Sequence, residues 1–478
     1  MVRQGSTQVY KHDSNRPVRT RIPPSPTGED IHVGNLYTAL INFAVARKNN
    51  GKFIIRIEDT DRQRYQKGAE EKILSSIKKF NLNYDEGPDI GGPHAPYRQS
   101  ERLSIYDGYA KELIDKGDAY YCFCTKERLI ELRENQIKEN KKTGYDKHCL
   151  LTVKNADKLI KKNTPFVVRL NVRPDKKICF KDIIRGEITI DSSEIDDQVL
   201  LKSDGYPTYH LGVVVDDHLM EITHIIRAEE WISSTPKHVL LYESFGWEMP
   251  IFAHLPILRN PDKSKLSKRK NPVWASWYLK EGFLPEAMLN YLALLGWSHP
   301  EEKEIFSLTE FINLFKLEDV KPVGPIFDLV KLKWMNQQYI QMKSDKELMK
   351  LILDFSDKSK KLSDEALRKL IPLLKSRMET LLDFERLTGV FFDEIPVVDF
   401  DDKEKEIAKT LIEDLSKIED WKSDAIFNII KGMMEKSKTR MPIFYKIFTG
   451  VERGLPLPET LEILGKNKSI KRLTEVIK

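Results

Sequence analysis

The first hydrophobic pattern in the chain is a short extended segment, Val18 to Ile22, which stops at Pro23-Pro24. The Pro24-Ser25-Pro26-Thr27-Gly28 run that follows must be a loop, because proline cannot donate to a strand ladder. From His32 to about Asn49 the apolar positions Leu36, Leu40, Phe43 and Ala44 recur at helical spacing. Asn49-Asn50-Gly51 makes a turn, and Phe53 to Ile57 reads as a β-rich strand whose end carries Glu58, Asp59 and Asp61. Strand, loop, helix, strand is how a parallel α/β domain opens.

From about Ala110 to Tyr209 the rhythm changes: a charged helix (Lys126 to Lys142) and several short strands suggest an insertion. The α/β pattern then resumes. Val213–Val215 and Ile222–Arg227 read as strands, Trp231 to Phe245 as a helix, and Leu255–Leu258 precedes a basic loop. Beyond Pro272 the chain turns helical, and from Leu332 onward it is almost wholly amphipathic helix without an internal repeat. A change from α/β to all-α near Val330 marks a domain boundary. At roughly 100–200 residues per domain, the 478 residues suggest three or four domains.

Composition narrows this only a little. Lys and Arg number 78 against 73 Asp and Glu, a net charge of +5, too mild by itself to identify a nucleic-acid binder. No segment nears the roughly 18 consecutive apolar residues of a membrane span. The stretch up to Pro17 lacks the apolar core of a secretory signal and reads as a disordered leader. Three of the four cysteines, Cys122, Cys124 and Cys149, lie close together; Cys179 stands apart. In an intracellular chain such a cluster points to metal or free thiols before disulfides.

Two constellations carry chemistry. The first is Pro24-Ser25-Pro26-Thr27-Gly28 followed by Ile31-His32-Val33-Gly34-Asn35 at a helix start. A helix N-terminus suits phosphate, a glycine admits a nucleotide close to the backbone, and His32 adds a donor. The second is Lys265-Leu266-Ser267-Lys268-Arg269, where clustered cations can grip the outer phosphates of a nucleotide. Alone, the first is equally a capped helix start and the second a solvated basic loop. No Walker loop is present.

Taken together, the His-x-Gly helix start and the late Lys-Leu-Ser-Lys-Arg loop resemble the HIGH and KMSKS motifs of class I aminoacyl-tRNA synthetases. The resemblance is closest to the glutamyl branch. It is carried by Arg21-Ile22-Pro23-Pro24-Ser25-Pro26-Thr27-Gly28, Arg56-Ile57-Glu58-Asp59-Thr60-Asp61, Asp85-Glu86-Gly87-Pro88 and Tyr97-Arg98-Gln99-Ser100-Glu101-Arg102. Further on it rests on Leu201 to His210, Val215-Asp216-Asp217-His218 and Arg227-Ala228-Glu229-Glu230-Trp231, all in family order.

The resemblance implies an α/β fold: a Rossmann-like nucleotide-binding catalytic domain with an α+β insertion, followed by an all-α C-terminal anticodon-binding region. The expected divisions are a leader (1–17), the first catalytic half (18–110), an acceptor-stem-binding insertion (111–209), the second catalytic half (210–271), a stem-contact region (272–330) and the helical anticodon-binding domain (331–478). The implied reaction joins L-glutamate to tRNA(Glu) using ATP, with Mg2+ accompanying the ATP, in a cytoplasmic monomer with no membrane attachment. His32, Lys265 and Lys268 match the catalytic positions. Thr27, Gly34 and Glu230, with His32 and Lys268, match the ATP contacts. Arg21, Ser25, Glu58, Tyr209 and Arg227 match the amino-acid contacts, with the two arginines at the carboxylates and Glu58 as natural partner of the ammonium. Arg377, on an expected helix from Lys361 to Phe384, matches a position that reads the third anticodon base in some members.

The chain departs from the family pattern in three places. Three residues separate Gly28 from His32 where two are usual, Pro23 replaces a small residue, and Val213 replaces an asparagine. Cys122, Cys124 and Cys149 resemble a zinc site that some members carry; the usual fourth position falls on Leu151, leaving Tyr145 or His148 as substitutes. The rival readings are a glutaminyl-tRNA synthetase, which an all-helical tail disfavours, the tail-less paralogue that glutamylates a modified tRNA base, which the long C-terminal region disfavours, and a non-catalytic RNA-binding relative, which should lack His32 or Lys268.

Overall fold

The computed structural model describes residues 16–266, 272–392 and 395–478. They fall into two compact units, Met1–Trp277 with Leu289–Asp328, and Tyr278–Met288 with Leu329–Lys478. Strands occur in the first: β1 (Arg19–Ile22), β2 (Lys52–Ile55), β3 (Ala119–Cys122), β4 (Val167–Leu170), β5 (Lys177–Asp182), β6 (Gly186–Asp191), β7 (Val199–Leu201), β8 (His224–Ala228) and β9 (Ile251–Leu255).

The helix Val33–Lys48 joins β1 to β2, which lie parallel with Arg21 opposite Ile54. This helix is buried on nearly every side, so its apolar residues show little amphipathic stripe. Its buried Asn42 donates to Ile226 O (3.1 Å) while its own carbonyl accepts Thr20 Oγ1 (2.8 Å), tying the helix to β1 and β8. Thr223, just before β8, donates its N–H to Arg19 O (3.0 Å) and accepts Arg19 N–H on Oγ1 (2.8 Å). These bonds set β1 beside β8. β8 pairs in parallel with β9, Arg227 opposite His254; β5 meets β9 in parallel, and β6 closes the edge antiparallel. The C-terminal ends of β1, β2 and β8 therefore open at one edge, where ligands of parallel α/β sheets bind.

The insertion builds a separate antiparallel sheet, β3-β4-β7. Val168, Leu170 and Leu200 pack there with Tyr106, Leu113, Leu211 and Val214 of the flanking helices. The second unit is helical, from Leu329–Met342 to Lys466–Val476. Capping boxes, Ser344 with Glu347 and Asp401 with Glu404, start two of its helices.

Three sequence expectations need correction. Val213–Val215 is not a strand but part of the helix Tyr209–Leu219, whose residues from His210 to Asp217 are all buried. Burial on every side erases the helical period and leaves a β-branched run that imitates a strand. The expected helix Trp231 to Phe245 starts later, at Thr235 with Pro236 in its first turn, after a 3-10 turn over Glu229–Ser234. The expected helix Lys361 to Phe384 is two: Asp364–Lys375, and Asp383–Thr388. Between them Asp383 accepts the N–H groups of Glu379 (2.8 Å) and Thr380 (3.0 Å), closing a turn that holds the exposed Arg377.

Candidate active site

Arg21, near the end of β1, is 1% exposed and held by a two-pronged pair with Asp217 (Nε–Oδ1 3.0 Å, Nη2–Oδ2 2.8 Å). Arg56, just past β2, donates to the same Asp217 Oδ1 (2.7 Å) and to Glu58 Oε1 (3.1 Å). Burial works against the Asp217 charge, but the Arg21 and Arg56 guanidiniums outweigh it and hold the carboxyl below its usual range. Buried ion pairs of this sort add little net stability; what they provide is fixed geometry. Two guanidinium donors of this cluster are buried without a hydrogen-bond partner: Arg56 Nε, which still lies 3.5 Å from Asp216 Oδ2, and Arg21 Nη1. An orphaned buried cationic donor calls for a ligand acceptor.

Neighbouring Asp216 anchors the scaffold, accepting Gln99 Nε2 (2.8 Å), Arg102 Nε (2.7 Å) and Tyr106 Oη (2.9 Å). The Tyr97-to-Arg102 block is thus structural support for the site. Glu58 stands at its edge, its side chain 12% exposed. Burial pushes its carboxyl up to about 7 despite the opposing pull of Arg56 and Arg21.

Arg227, in β8, is 5% exposed. Its Nε donates to His254 Nε2 (3.1 Å), Nη1 to Tyr209 Oη (3.0 Å) and His238 Nδ1 (3.2 Å), and Nη2 to Thr235 Oγ1 (2.8 Å). Burial lowers all three nearby histidines: His254 to about 4, His210 to about 3, and His238 well below its usual value. Tyr209 Oη contacts Arg227 directly; burial raises its hydroxyl, and Arg227, Glu58 and Arg21 all act on it as charges, so these four expected residues lie near one another. Ser25 is exposed in the loop beyond β1.

The phosphate-type features lie beside it. His32 caps the helix Val33–Lys48, its Nδ1 accepting Gly34 N–H (3.0 Å), which fixes the ring proton on Nε2. A Cβ at Gly34 would sit 3.2 Å from that Nδ1, so the capped ring favours a glycine there. Thr27 is half-buried in the preceding loop. Lys265 ion-pairs with Glu230. Lys268 lies outside the described residues; on either side of that stretch, Leu266 N–H donates to Leu258 O (3.0 Å), and Val273 O accepts Val33 N–H (2.7 Å) at the His32 helix start.

In the insertion, the Cys122, Cys124 and Cys149 sulfurs lie within 4.8 Å of one another, with Cys124 Sγ and Cys149 Sγ 3.4 Å apart. Tyr145 Oη is 3.3 Å from both Cys122 Sγ and Cys124 Sγ. Zinc–sulfur bonds of ~2.3 Å place tetrahedral sulfurs ~3.8 Å apart, so the set fits a small metal ion. Leu151 is 77% exposed, and His148, also exposed, is not in the cluster.

Sequence reasoning missed the supporting residues. Asp217 and Arg56 were visible only as members of matched blocks. Thr235, His238 and His254 carry no signal of their own, since only the tertiary fold gathers them around Arg227.

Comparison with known proteins completes the picture. Residues 17–334 match the family "tRNA synthetases class I (E and Q), catalytic domain", and residues 346–477 match an anticodon binding domain. The glutamate–tRNA ligase of Fusobacterium nucleatum is 44% identical, with 98% of each chain covered. That of Thermus thermophilus is 45% identical over 96% of this chain and 100% of its own. Among solved structures, a glutamate tRNA ligase from Elizabethkingia meningosepticum in complex with its amino acid is 36% identical, with a TM-score of 0.84, covering 97% of this chain and 99% of that one.

Proposed function

Since the chain belongs to the glutamate–tRNA ligases of the class I tRNA synthetases, we propose that the crevice at the ends of β1, β2 and β8 binds glutamate beside ATP. The single observation that carries this reading is the buried, unpartnered Nη1 of Arg21, next to an uncompensated Arg227 and an acidic Glu58. Glutamate brings two carboxylates and one ammonium, which is the complement of that set. Arg21 takes a carboxylate through Nη1, Arg227 with Tyr209 takes the other, Glu58 takes the ammonium, and Ser25 adds a polar contact.

In the first step the α-carboxylate oxygen attacks the α-phosphorus of ATP, and the bond to pyrophosphate breaks. The nucleophile is already an anion, so no side-chain base is required; positioning and charge stabilisation do the catalysis. His32 donates from Nε2 to phosphate oxygen, Gly34 keeps the helix start open, and Thr27 and Glu230 hold the nucleoside. Lys268, with Lys265, offsets the charge gathering on pyrophosphate. Mg2+ bound with the ATP would supply further charge neutralisation. In the second step a terminal ribose hydroxyl of tRNA(Glu) attacks the adenylate carbonyl and AMP leaves.

Cys122, Cys124, Cys149 and Tyr145 would hold a zinc ion that cross-links the insertion, a structural role. Arg377, exposed in its turn, would meet an unstacked anticodon base, where a guanidinium can read an edge that phosphate contacts cannot. No helix among the described residues is long and apolar enough to cross a membrane. The test is acylation of purified tRNA(Glu) and tRNA(Gln) with labelled glutamate or glutamine. Glutamate on tRNA(Glu) is expected; exclusive transfer of glutamine would overturn the reading.

A further inference from the structure

A buried guanidinium ordinarily sits against a carboxylate. Arg21 and Arg56 do so, both on Asp217. Arg227 does not: its N–H groups go to His254, His238, Tyr209, Thr235 and, more distantly, Trp231 O (3.5 Å), and it forms no ion pair with an acid among the described residues. Arginine has donors only, so His254 Nε2 and His238 Nδ1 must both be bare acceptors. Each ring proton then faces outward, from His254 Nδ1 to Asp182 Oδ2 (2.7 Å) and from His238 Nε2 to His210 Nδ1 (3.2 Å). Each histidine is thereby locked in a neutral tautomer. Tyr209, accepting from Arg227, has its own hydroxyl proton to donate elsewhere.

The two binding arginines therefore differ in charge balance. Arg21 shares Asp217 and offers a direction; Arg227 is held as firmly but touches no carboxylate directly, Asp182 standing one residue away behind His254. We propose that His238, His254 and Thr235 form a neutral acceptor cage that reserves the charge of Arg227 for the side-chain carboxylate of the amino acid. Acting through Arg227, these positioning residues set the preference for glutamate over uncharged glutamine. The inference rests on the reading that Arg227 with Tyr209 receives one glutamate carboxylate, and it assigns that one as the side-chain carboxylate.

An isosteric pair isolates the charge. In His238→Asn a neutral oxygen or nitrogen stands where Nδ1 was; in His238→Asp a carboxylate does, and both lose the contact to His210 alike. Glutamate and glutamine affinities are measured by calorimetry on the full chain, with thermal unfolding to verify folding. The Asp variant should bind glutamate on the order of 10- to 100-fold more weakly than the Asn variant. Glutamine affinity should differ little between them, so the glutamate-to-glutamine ratio falls by that factor. If His238→Asp does not fold, Thr235→Asn against Thr235→Asp makes the same comparison at Nη2. Arg227→Ala separates the two levels of the argument. If it loses glutamate while the Asn and Asp variants bind equally, the cage is overturned and the Arg227 contact stands. If it binds glutamate normally, both are overturned.

Discussion

Glu58 makes the binding of glutamate a proton-linked event. Burial raises its carboxyl from 4.5 to about 7 in the folded protein. The difference is about 3 kcal/mol at 1.36 kcal/mol per unit. The sign follows from proton uptake. The folded state holds this proton more tightly than the unfolded chain, so the contribution of Glu58 to stability is greatest below pH 4.5 and is lost as pH rises from 4.5 to about 7. A ligand ammonium reverses the preference, because it pairs with the ionised form. Binding below about pH 7 must then expel a proton, and affinity should fall about tenfold for each unit below that value and level off above it. The assay is glutamate titration calorimetry at pH 6, 7 and 8 in two buffers of different ionisation heat. Release of ~0.9 proton at pH 6, ~0.5 at pH 7 and ~0.1 at pH 8 is expected, and Glu58→Gln should abolish it. The crevice histidines cannot mimic this effect, since His254 titrates at about 4, His210 at about 3 and His238 far below its usual value. Affinity that is flat from pH 6 to 8 with no proton exchange would refute the pairing of Glu58 with the ammonium.

Other perturbations address the remaining parts. Arg21→Lys keeps the charge but loses the fork on Asp217 and the orphaned Nη1; glutamate should bind on the order of 10-fold or more weakly by calorimetry, with about 1–3 kcal/mol lost in denaturant unfolding. Lys268→Ala should slow adenylate formation by roughly 100- to 1,000-fold in single-turnover assays, with the circular dichroism spectrum unchanged; near-normal turnover would remove the basic loop from the chemistry. Elemental analysis should find about one zinc per chain, and Tyr145→Phe should speed its loss to a chelator. Freely titratable Cys122, Cys124 and Cys149 thiols with no zinc would remove the metal.

The parts legible in sequence were those set by local pattern or by matched blocks. The loop before His32 follows from proline placement, the helix behind it from apolar residues at helical spacing, and the strand leading to Glu58 from its β-rich composition. The helical tail likewise follows from helical spacing. Val213–Val215 reads as a strand because a fully buried helix and a buried strand present the same apolar run, and only neighbours distinguish them. Arg377 reads as helical because the Asp383 carboxylate, which closes the turn before the next helix, looks in sequence like any helix-surface acid. The cage around Arg227 joins residues 227, 235, 238 and 254 from β8, the following helix and β9. No spacing in the chain announces that junction. The partner of each charge is equally hidden: of two adjacent acids, Asp217 holds Arg21 and Arg56, while Asp216 holds Gln99, Arg102 and Tyr106 and also lies 3.5 Å from Arg56 Nε.

The central claim is that the crevice at the ends of β1, β2 and β8 is built around glutamate, and a crystal structure of this chain with bound glutamate tests it most directly. The account predicts one carboxylate within hydrogen-bonding distance of Arg21 Nη1, the other facing Tyr209 Oη and Arg227, and the ammonium beside Glu58, with Asp217 still holding Arg21 and Arg56. Glutamate bound elsewhere, or bound there with Arg21 Nη1 still lacking an acceptor, would contradict it.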